Sequence, residues 1–443
     1  MGHSSHTSDS TETDPELEEL WVKANVNMDA MLAIISSHFK TRCRLQGPLG
    51  IGAFARTFKY SLEDGKELVA RVTLPVRETV KTEAEVATMD SIRARTRIPI
   101  PRVYLFCSSQ NNPVRAEWIV MEFMRGIQFG KCLGDLTVEQ QKITAEDMAS
   151  VMAQTFSLTA THCGSMLFDY TLRNNQRAVR YTDRAIRALQ LPYGTIRDTG
   201  PSGTFIVGPA NEPILLDYEK PIPPSASGPF ATEREYLEAV AYLGRPATRP
   251  SSKGQRWAFE RVLEVFEAIR PAYRDLDAAQ IPAPDASTFR FAHNDLSSSN
   301  ILLDPKTGHI TAVLDWEMAG FFPGWHAARA GGSFNDDFQR FLVQSWQDGP
   351  LGYDDEPPEA ADVRKHFRDT LGSLDPCLFA NYWRGVELRA LRANLCHTFP
   401  SNVMLWLEKY EKYQWDARQR GPFPFDLSKW IDEQYVVWQS ESQ

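Results

Sequence analysis

The chain has 443 residues, 42% hydrophobic and 24% charged, with a net charge of −9. That length exceeds what one hydrophobic core usually serves, so two or more lobes are expected, and the acidic balance argues against a nucleic-acid partner. The six cysteines (Cys43, Cys107, Cys132, Cys163, Cys377, Cys396) form no C-x-x-C pair. They suggest neither a zinc site nor a disulfide framework, and read as reduced, mostly buried thiols.

Residues 1–15 are polar, lack the apolar core of a signal peptide and read as a disordered tail. No apolar stretch is long enough to span a bilayer. No membrane partner and a cytosolic location are therefore expected. "LEELWVKANVNMDAMLAIISSHF" then carries apolar residues at helical spacing. "CRLQGPLGIGAFARTFKY" reads as two strands around a glycine turn, and "KELVARVTL" as a third strand. A helix is predicted over 79–95, with Val86, Met89 and Ile92 on one face. The cluster Arg93, Arg95 and Arg97 at its end reads as a solvated helix terminus, where cations are favoured. The prolines of "IPIPRVYLF" stop the helix and open an edge strand; "AEWIVMEFM" is the next strand. Residues 16–125 thus form a small β-rich lobe with one inserted helix.

From 126 to 443 the pattern is mainly helical. "AEDMASVMAQTFSLTATHC", "EREYLEAVAYLG" and "GQRWAFERVLEVFEAIRPAY" are amphipathic helices, and residues 165–230 read as irregular. "FAHNDLSSSNILLD" and "HITAVLDWE" suggest two short strands around a turn at 306–308, and helices resume from 333. The fold class expected is α+β.

The polar loop between those strands carries chemistry-bearing residues. Asp295 and Asn300 enclose "LSSS", and Asp315 follows the next apolar run. An acid so placed suits proton acceptance from an attacking hydroxyl. An amide and a second acid supply hard oxygens, which suit Mg²⁺ completed by phosphates and water. Phosphoryl transfer needs little more than metal, phosphate positioning and a base. A polar turn, where Asx and Ser cluster for backbone reasons, is the competing explanation.

"HNDLSSSN" followed by "LDWE" resembles the aminoglycoside phosphotransferase family of kinase-like enzymes, in particular its fungal branch. "VARVTLP", "KTEAEVATM", "IPIPRV", "NNPVRAEWIVMEFMRG" and "GPF" stand in the order that family has. The resemblance implies a two-lobed protein-kinase-like fold with ATP between the lobes. It implies Asp295 as catalytic base, Asn300 and Asp315 as ligands of Mg²⁺, and His293 as a brace of the loop. Glu317 is left open between metal-bound water, substrate and a structural hydrogen bond.

In the first lobe, Gly50 and Gly52 lie in a hairpin that can pass close over phosphates, although Ala55 stands where a third glycine is usual. "LVARV" aligns with the kinase strand that carries a lysine, so Arg71 takes that place; Lys81 is the alternative phosphate contact. Glu85 is the expected carboxylate partner and Glu83 the alternative. Glu122, Phe123 and Met124 hold the position of the adenine-binding hinge.

No A-P-E sequence follows Asp315, which points to a small-molecule hydroxyl as acceptor rather than a peptide. Asp336, Asp337 and Glu387 are acidic candidates for its site. Trp316, Trp325, Trp383 and Phe334 either frame an apolar acceptor or belong to the core. The reading is an ATP- and Mg²⁺-dependent phosphotransferase. Its alternative is a catalytically silent nucleotide-binding protein acting through contacts.

Overall fold

A computed structural model describes residues 15–52, 55–74, 79–169, 179–180, 194–197, 205–212, 226–243, 253–273, 288–335, 358–395 and 407. In chain order its strands are β1 (Cys43–Ile51), β2 (Ala55–Leu62), β3 (Glu67–Thr73), β4 (Val103–Cys107), β5 (Glu117–Glu122), β6 (Ile127–Gln128), β7 (Thr159–Ala160) and β8 (Met166–Phe168). They continue as β9 (Val179–Arg180), β10 (Gly194–Arg197), β11 (Phe205–Val207), β12 (Phe289–Ala292), β13 (Ile301–Leu303), β14 (Ile310–Val313) and β15 (Gly320–Phe322). The helices used below are α1 (Pro15–Ala24), α2 (Met28–Phe39), α3 (Val80–Arg95), α4 (Phe129–Cys132), α5 (Val138–Phe156), α6 (Glu233–Leu243) and α7 (Lys253–Ile269).

The chain divides into two compact units. The first comprises Met1–Val86, Arg102–Phe123 and Gln176–Gln190; the second comprises Ala87–Pro101, Met124–Asn175 and Leu191–Gln443. The first unit is built on the sheet β1-β2-β3-β5-β4-β9. β3 is nearly continuously buried, as its run of Leu, Val and Ala requires of a central strand. The N-terminal helical stretch breaks into α1 and α2, because Asn27 caps α2 by accepting from the Ala30 amide. β4 is not the edge its prolines suggested. Val179–Arg180 adds to it in parallel, so its free side is covered within the sheet.

The second unit holds two sheets, β15-β12-β7-β10-β11-β8 and β14-β13-β6. Residues 165–230 were expected to be irregular; their described parts instead supply β8, β10 and β11 to the six-stranded sheet. These strands run three to four residues each, too short to show a periodicity. α5 also differs from expectation. It starts at Val138 and ends at Phe156, so Thr159–Ala160 is strand rather than helix. Its start is set by a capping box, in which Thr137 and Gln140 satisfy each other's backbone amides. α6 and α7 lie where predicted, and further helices among the described residues lie at Gly324–Ala327, Pro358–Leu374, Pro376–Arg384 and Val386–Leu395.

Three of the four aromatics left open between acceptor site and core are buried. Trp316, Trp325 and Phe334 are buried, whereas Trp383 is half-buried and stacks on Phe379 at 6.2 Å. The five described cysteines are all buried and unbridged. The polar tail before residue 15, Asp336, Asp337 and Cys396 lie outside the described residues. No described helix is long and apolar enough to cross a membrane.

Candidate active site

The polar loop and "LDWE" are both suspended between paired strands of the second unit. β12 ends at Ala292, one residue before His293, and pairs with β15, which begins three residues after Glu317. Between them the hairpin β13–β14 runs in register Ile301↔Val313, so Asn300 enters it and Asp315 leaves it at the same end. The Leu314 amide donates to the Asn300 carbonyl at 2.8 Å and ties the two segments together. A short segment thus brings Asp295, Asn300 and Asp315 into one neighbourhood, because antiparallel pairing returns the chain to its starting level.

His293 braces this loop. It is 1% exposed, its Nε2–H donates to the Leu314 carbonyl at 2.8 Å, and its Nδ1 accepts the Asp295 amide at 3.3 Å. The Trp316 ring lies 4.5 Å from the imidazole, and the Trp316 indole donates to the Val313 carbonyl at 3.0 Å. Burial, the leading cause, pushes the imidazole down to about 4, so the ring is neutral at neutral pH and keeps one acceptor and one donor. Asn294 and Asp315 both sit at positive φ, 64° and 61°. Asn and Asp tolerate this left-handed region best among residues with a side chain, and both turn the chain sharply at the site.

Asp295 is exposed by surface area, yet protein atoms crowd its carboxyl group. That desolvation, the largest influence, raises it above the usual aspartate range. The Asn300 hydrogen bond lowers it, Glu317 raises it and Arg329 lowers it. Asn300 is buried, and its Nδ2 donates to both the Asp295 carbonyl, at 2.9 Å, and the Asp295 carboxylate, at 2.8 Å. With the amide nitrogen so committed, Oδ1 is the atom that side chain presents to a ligand. Glu317 is buried and Asp315 half-buried. Among the described residues no group of three or more His, Cys, Asp or Glu could hold a metal ion. The donor set at hand, one amide oxygen and one carboxylate, fits Mg²⁺, which takes few protein oxygens and completes its shell with phosphate and water.

Arg329 was not singled out from the sequence. The segment it belongs to lies directly on the loop: a Cβ at Gly331 would come within 1.8 Å of the Leu296 carbonyl oxygen. The adjacent glycines Gly331 and Gly332 were the signal, since paired glycines mark close backbone approach. From the other side Gly130 in α4 donates its amide to the Ser298 carbonyl at 3.2 Å, and Gln128 donates to the Ser299 carbonyl at 3.0 Å.

In the first unit Arg71, at the centre of β3, forms an ion pair with Glu85 of α3, and both are buried. Glu83 accepts from the Ser108 hydroxyl at 2.6 Å. Neither Glu faces solvent, the usual fate of a helical glutamate. Lys81 is buried as well. Gly50 pairs with Thr57, Ile51 with Arg56 ends the paired part of β1, and Gly52 donates to the Ala55 carbonyl at 2.8 Å across the hairpin. Glu122 closes β5; its amide donates to the Arg102 carbonyl at 2.9 Å, and its carboxylate accepts from the Arg102 amide at 3.1 Å. Lys59 Nζ stands 3.9 Å over the Phe123 ring, and Met124 begins the second stretch of the second unit. Glu387 is fully buried in its helix, which removes it as a contact for an acceptor.

The sequence profile of the Phosphotransferase enzyme family (APH) matches residues 47–326. The chain belongs to the phosphotransferase enzyme family. A subtelomeric hrmA-associated cluster protein of Aspergillus fumigatus is 28% identical over 300 residues, covering 62% of this chain and 57% of that protein. Altered inheritance of mitochondria protein 9 of Komagataella phaffii is 23% identical over 297 residues, covering 62% of this chain and 46% of that protein. The chain therefore spans about half the length of these curated relatives. Aminoglycoside phosphotransferase APH(3'')-Id from Streptomyces rimosus aligns over 83% of this chain and 99% of its own, at 15% identity and a TM-score of 0.40. The expected cytosolic location does not stand. The relatives from Komagataella phaffii, Yarrowia lipolytica and Meyerozyma guilliermondii are named as mitochondrial. A polar, membrane-free composition suits an organelle lumen as well as the cytosol and does not choose between them.

Proposed function

We propose that this chain is an ATP- and Mg²⁺-dependent phosphotransferase that moves the γ-phosphoryl group to a hydroxyl of a small molecule. The observation that carries the reading is the Asn300 amide, whose nitrogen clamps the Asp295 carboxylate at 2.8 Å, so that its oxygen is the atom left to meet a ligand. Asp295 takes the proton of the acceptor hydroxyl as that oxygen bonds to the γ-phosphorus. The bond from the γ-phosphorus to the β–γ bridging oxygen breaks, and ADP leaves. Desolvation raises the Asp295 carboxyl and so makes it a better proton acceptor than an ordinary aspartate. Neutral His293 holds the loop in register without competing for the proton.

Asn300 and Asp315 would hold Mg²⁺ through their side-chain oxygens. The ion, when bound, would neutralise charge on the phosphates. Arg71, oriented by Glu85, faces the phosphates; Gly50 and Gly52 cover them; and Glu122, Phe123 and Met124 read adenine through their backbone. The absence of A-P-E after Asp315 favours a small acceptor over a polypeptide. We assign the protein to mitochondria, following the names of its yeast relatives. One observation favours a second reading, a silent nucleotide-binding protein: Arg71 stands where a lysine is usual.

An untargeted metabolite screen with γ-labelled ATP, run with the wild-type chain and Asp295→Asn, tests the proposal. Label is expected on a small molecule with the wild type only. Mg²⁺-dependent ATP binding without any label transfer would replace the enzyme with the silent binder.

A further inference from the structure

We propose that Asp147 on α5 is a positioning residue for Asn300 and Asp315, acting through the far end of the β13–β14 hairpin. This rests on the reading that those two side chains hold Mg²⁺.

The hairpin is a short lever with the two proposed ligands at one end. Its other end is the turn 304–309. That turn is built locally: Asp304 accepts from the Lys306 amide at 2.9 Å, and Gly308, at φ 78°, closes it. The turn is then seated on α5. The Gln140 side chain, already part of the helix cap, donates to the Pro305 and Lys306 carbonyls at 3.2 and 2.8 Å. Thr144 donates its hydroxyl to the Gly308 carbonyl at 2.7 Å. The contact is close enough that a Cβ at Gly308 would meet the Gln140 carbonyl oxygen at 2.4 Å.

Asp147 is the charged member of this seat. One carboxylate oxygen accepts the Ile310 amide at 2.9 Å and faces His309 Nδ1 at 3.0 Å. Ile310 is the first residue of β14, the strand that ends two residues before Asp315. The last residue of β14, Val313, donates its amide to the Pro99 carbonyl at 2.9 Å. The segment carrying Pro99 is in turn held to α5, where Gln154 accepts the Arg97 amide at 2.7 Å. Both ends of β14 are therefore gripped from α5, directly by Asp147 and indirectly by Gln154.

Between the two grips lies an open cavity of about 910 Å³, lined among others by Arg95, Pro99, Asp147, Gln154, His309 and Ile310. Close apolar packing does not fill this side of the strand. Beside the pairing of β14 with β13, these hydrogen bonds set the position of β14 and with it the spacing of Asn300 and Asp315. A carboxylate acceptor is the strongest of them.

The test uses the full chain with Asp147→Ala, Asp147→Asn and Gln154→Ala. Two quantities are read: amide hydrogen exchange at Leu314, whose N–H bonds to Asn300, and calorimetric binding of ATP across a Mg²⁺ series. Asp147→Ala is expected to speed Leu314 exchange about ten-fold and raise the Mg²⁺ needed for ATP binding by a similar factor, while Mg²⁺-free ATP binding holds within about two-fold. Asp147→Asn keeps an oxygen for the Ile310 amide and restores most of both. Gln154→Ala shifts both the same way and carries the test if Asp147→Ala does not fold. Lys142→Ala, on the same helix but paired with Asp362 at 2.7 Å, leaves both unchanged. Mg²⁺-dependent binding with Leu314 exchange unaltered by Asp147→Ala overturns this proposal alone. Wild-type ATP binding indifferent to Mg²⁺ overturns the metal reading and this proposal with it.

Discussion

Acidification should act through His293 to unfasten the loop that carries Asp295. The ring is 1% exposed, and burial holds it at about 4 against an ordinary value of 6.5. Between those values the unfolded chain binds a proton that the native chain refuses. Stability from this group is therefore complete above pH 6.5 and is lost as pH falls toward about 4. A gap of this size is worth about 3 kcal/mol. Protonation also turns Nδ1 from an acceptor into a donor, which breaks the bond from the Asp295 amide. His293→Gln cannot titrate. In urea unfolding between pH 7 and 4.5, the wild type should lose stability with a slope about one proton steeper than the variant. At pH 7 the variant itself should cost on the order of 1–3 kcal/mol, because the Asp295 amide loses its partner. Nitrogen-15 correlation spectra at pH 7 should show Nε2 protonated and Nδ1 bare. Equal acid slopes in the two proteins, or a protonated Nδ1, would refute the reasoning.

Three other outcomes are expected. Gly331→Ala must displace the Leu296 carbonyl, since its Cβ would lie 1.8 Å from that oxygen. Thermal unfolding should show a loss of more than about 2 kcal/mol together with loss of turnover, whereas Gly134→Ala, with nothing within 4 Å, should be neutral. Asn300→Ala removes the hydrogen bond that lowers Asp295, so its carboxyl rises further and the acid limb of the pH–rate profile moves to higher pH; an unmoved limb would detach Asn300 from the base. Glu85→Ala should destabilise the first unit by about 3–5 kcal/mol, the usual cost of breaking a buried ion pair. Glu83→Ala, which loses the Ser108 bond, should cost about 1–3 kcal/mol in the same denaturation assay; the reverse order would mean that the Arg71 pairing is misassigned.

The sequence by itself determined the features that depend on neighbours within about twenty residues. The hairpins β1–β2 and β13–β14, the helices α3, α6 and α7, and the grouping of Asp295, Asn300 and Asp315 were legible because turn chemistry and period act locally. The family was legible too, since several short motifs stand in a fixed order. The Thr137–Gln140 capping box was also there to be read, and it would have placed the start of α5 correctly.

Tertiary structure decided the rest. Strands of two to four residues, such as Thr159–Ala160, carry no measurable periodicity, so the six-stranded sheet exists only once distant segments meet. Glu83 and Glu85 are indistinguishable on a helix buried around much of its surface, and only the position of Ser108 and Arg71 separates them. The approach of Arg329 to Asp295 and the grip of α5 on β14 join residues far apart in the chain. Hydrogen bonds and charges act over a few ångströms of space, whatever the separation along the chain, and a linear pattern holds no record of that distance.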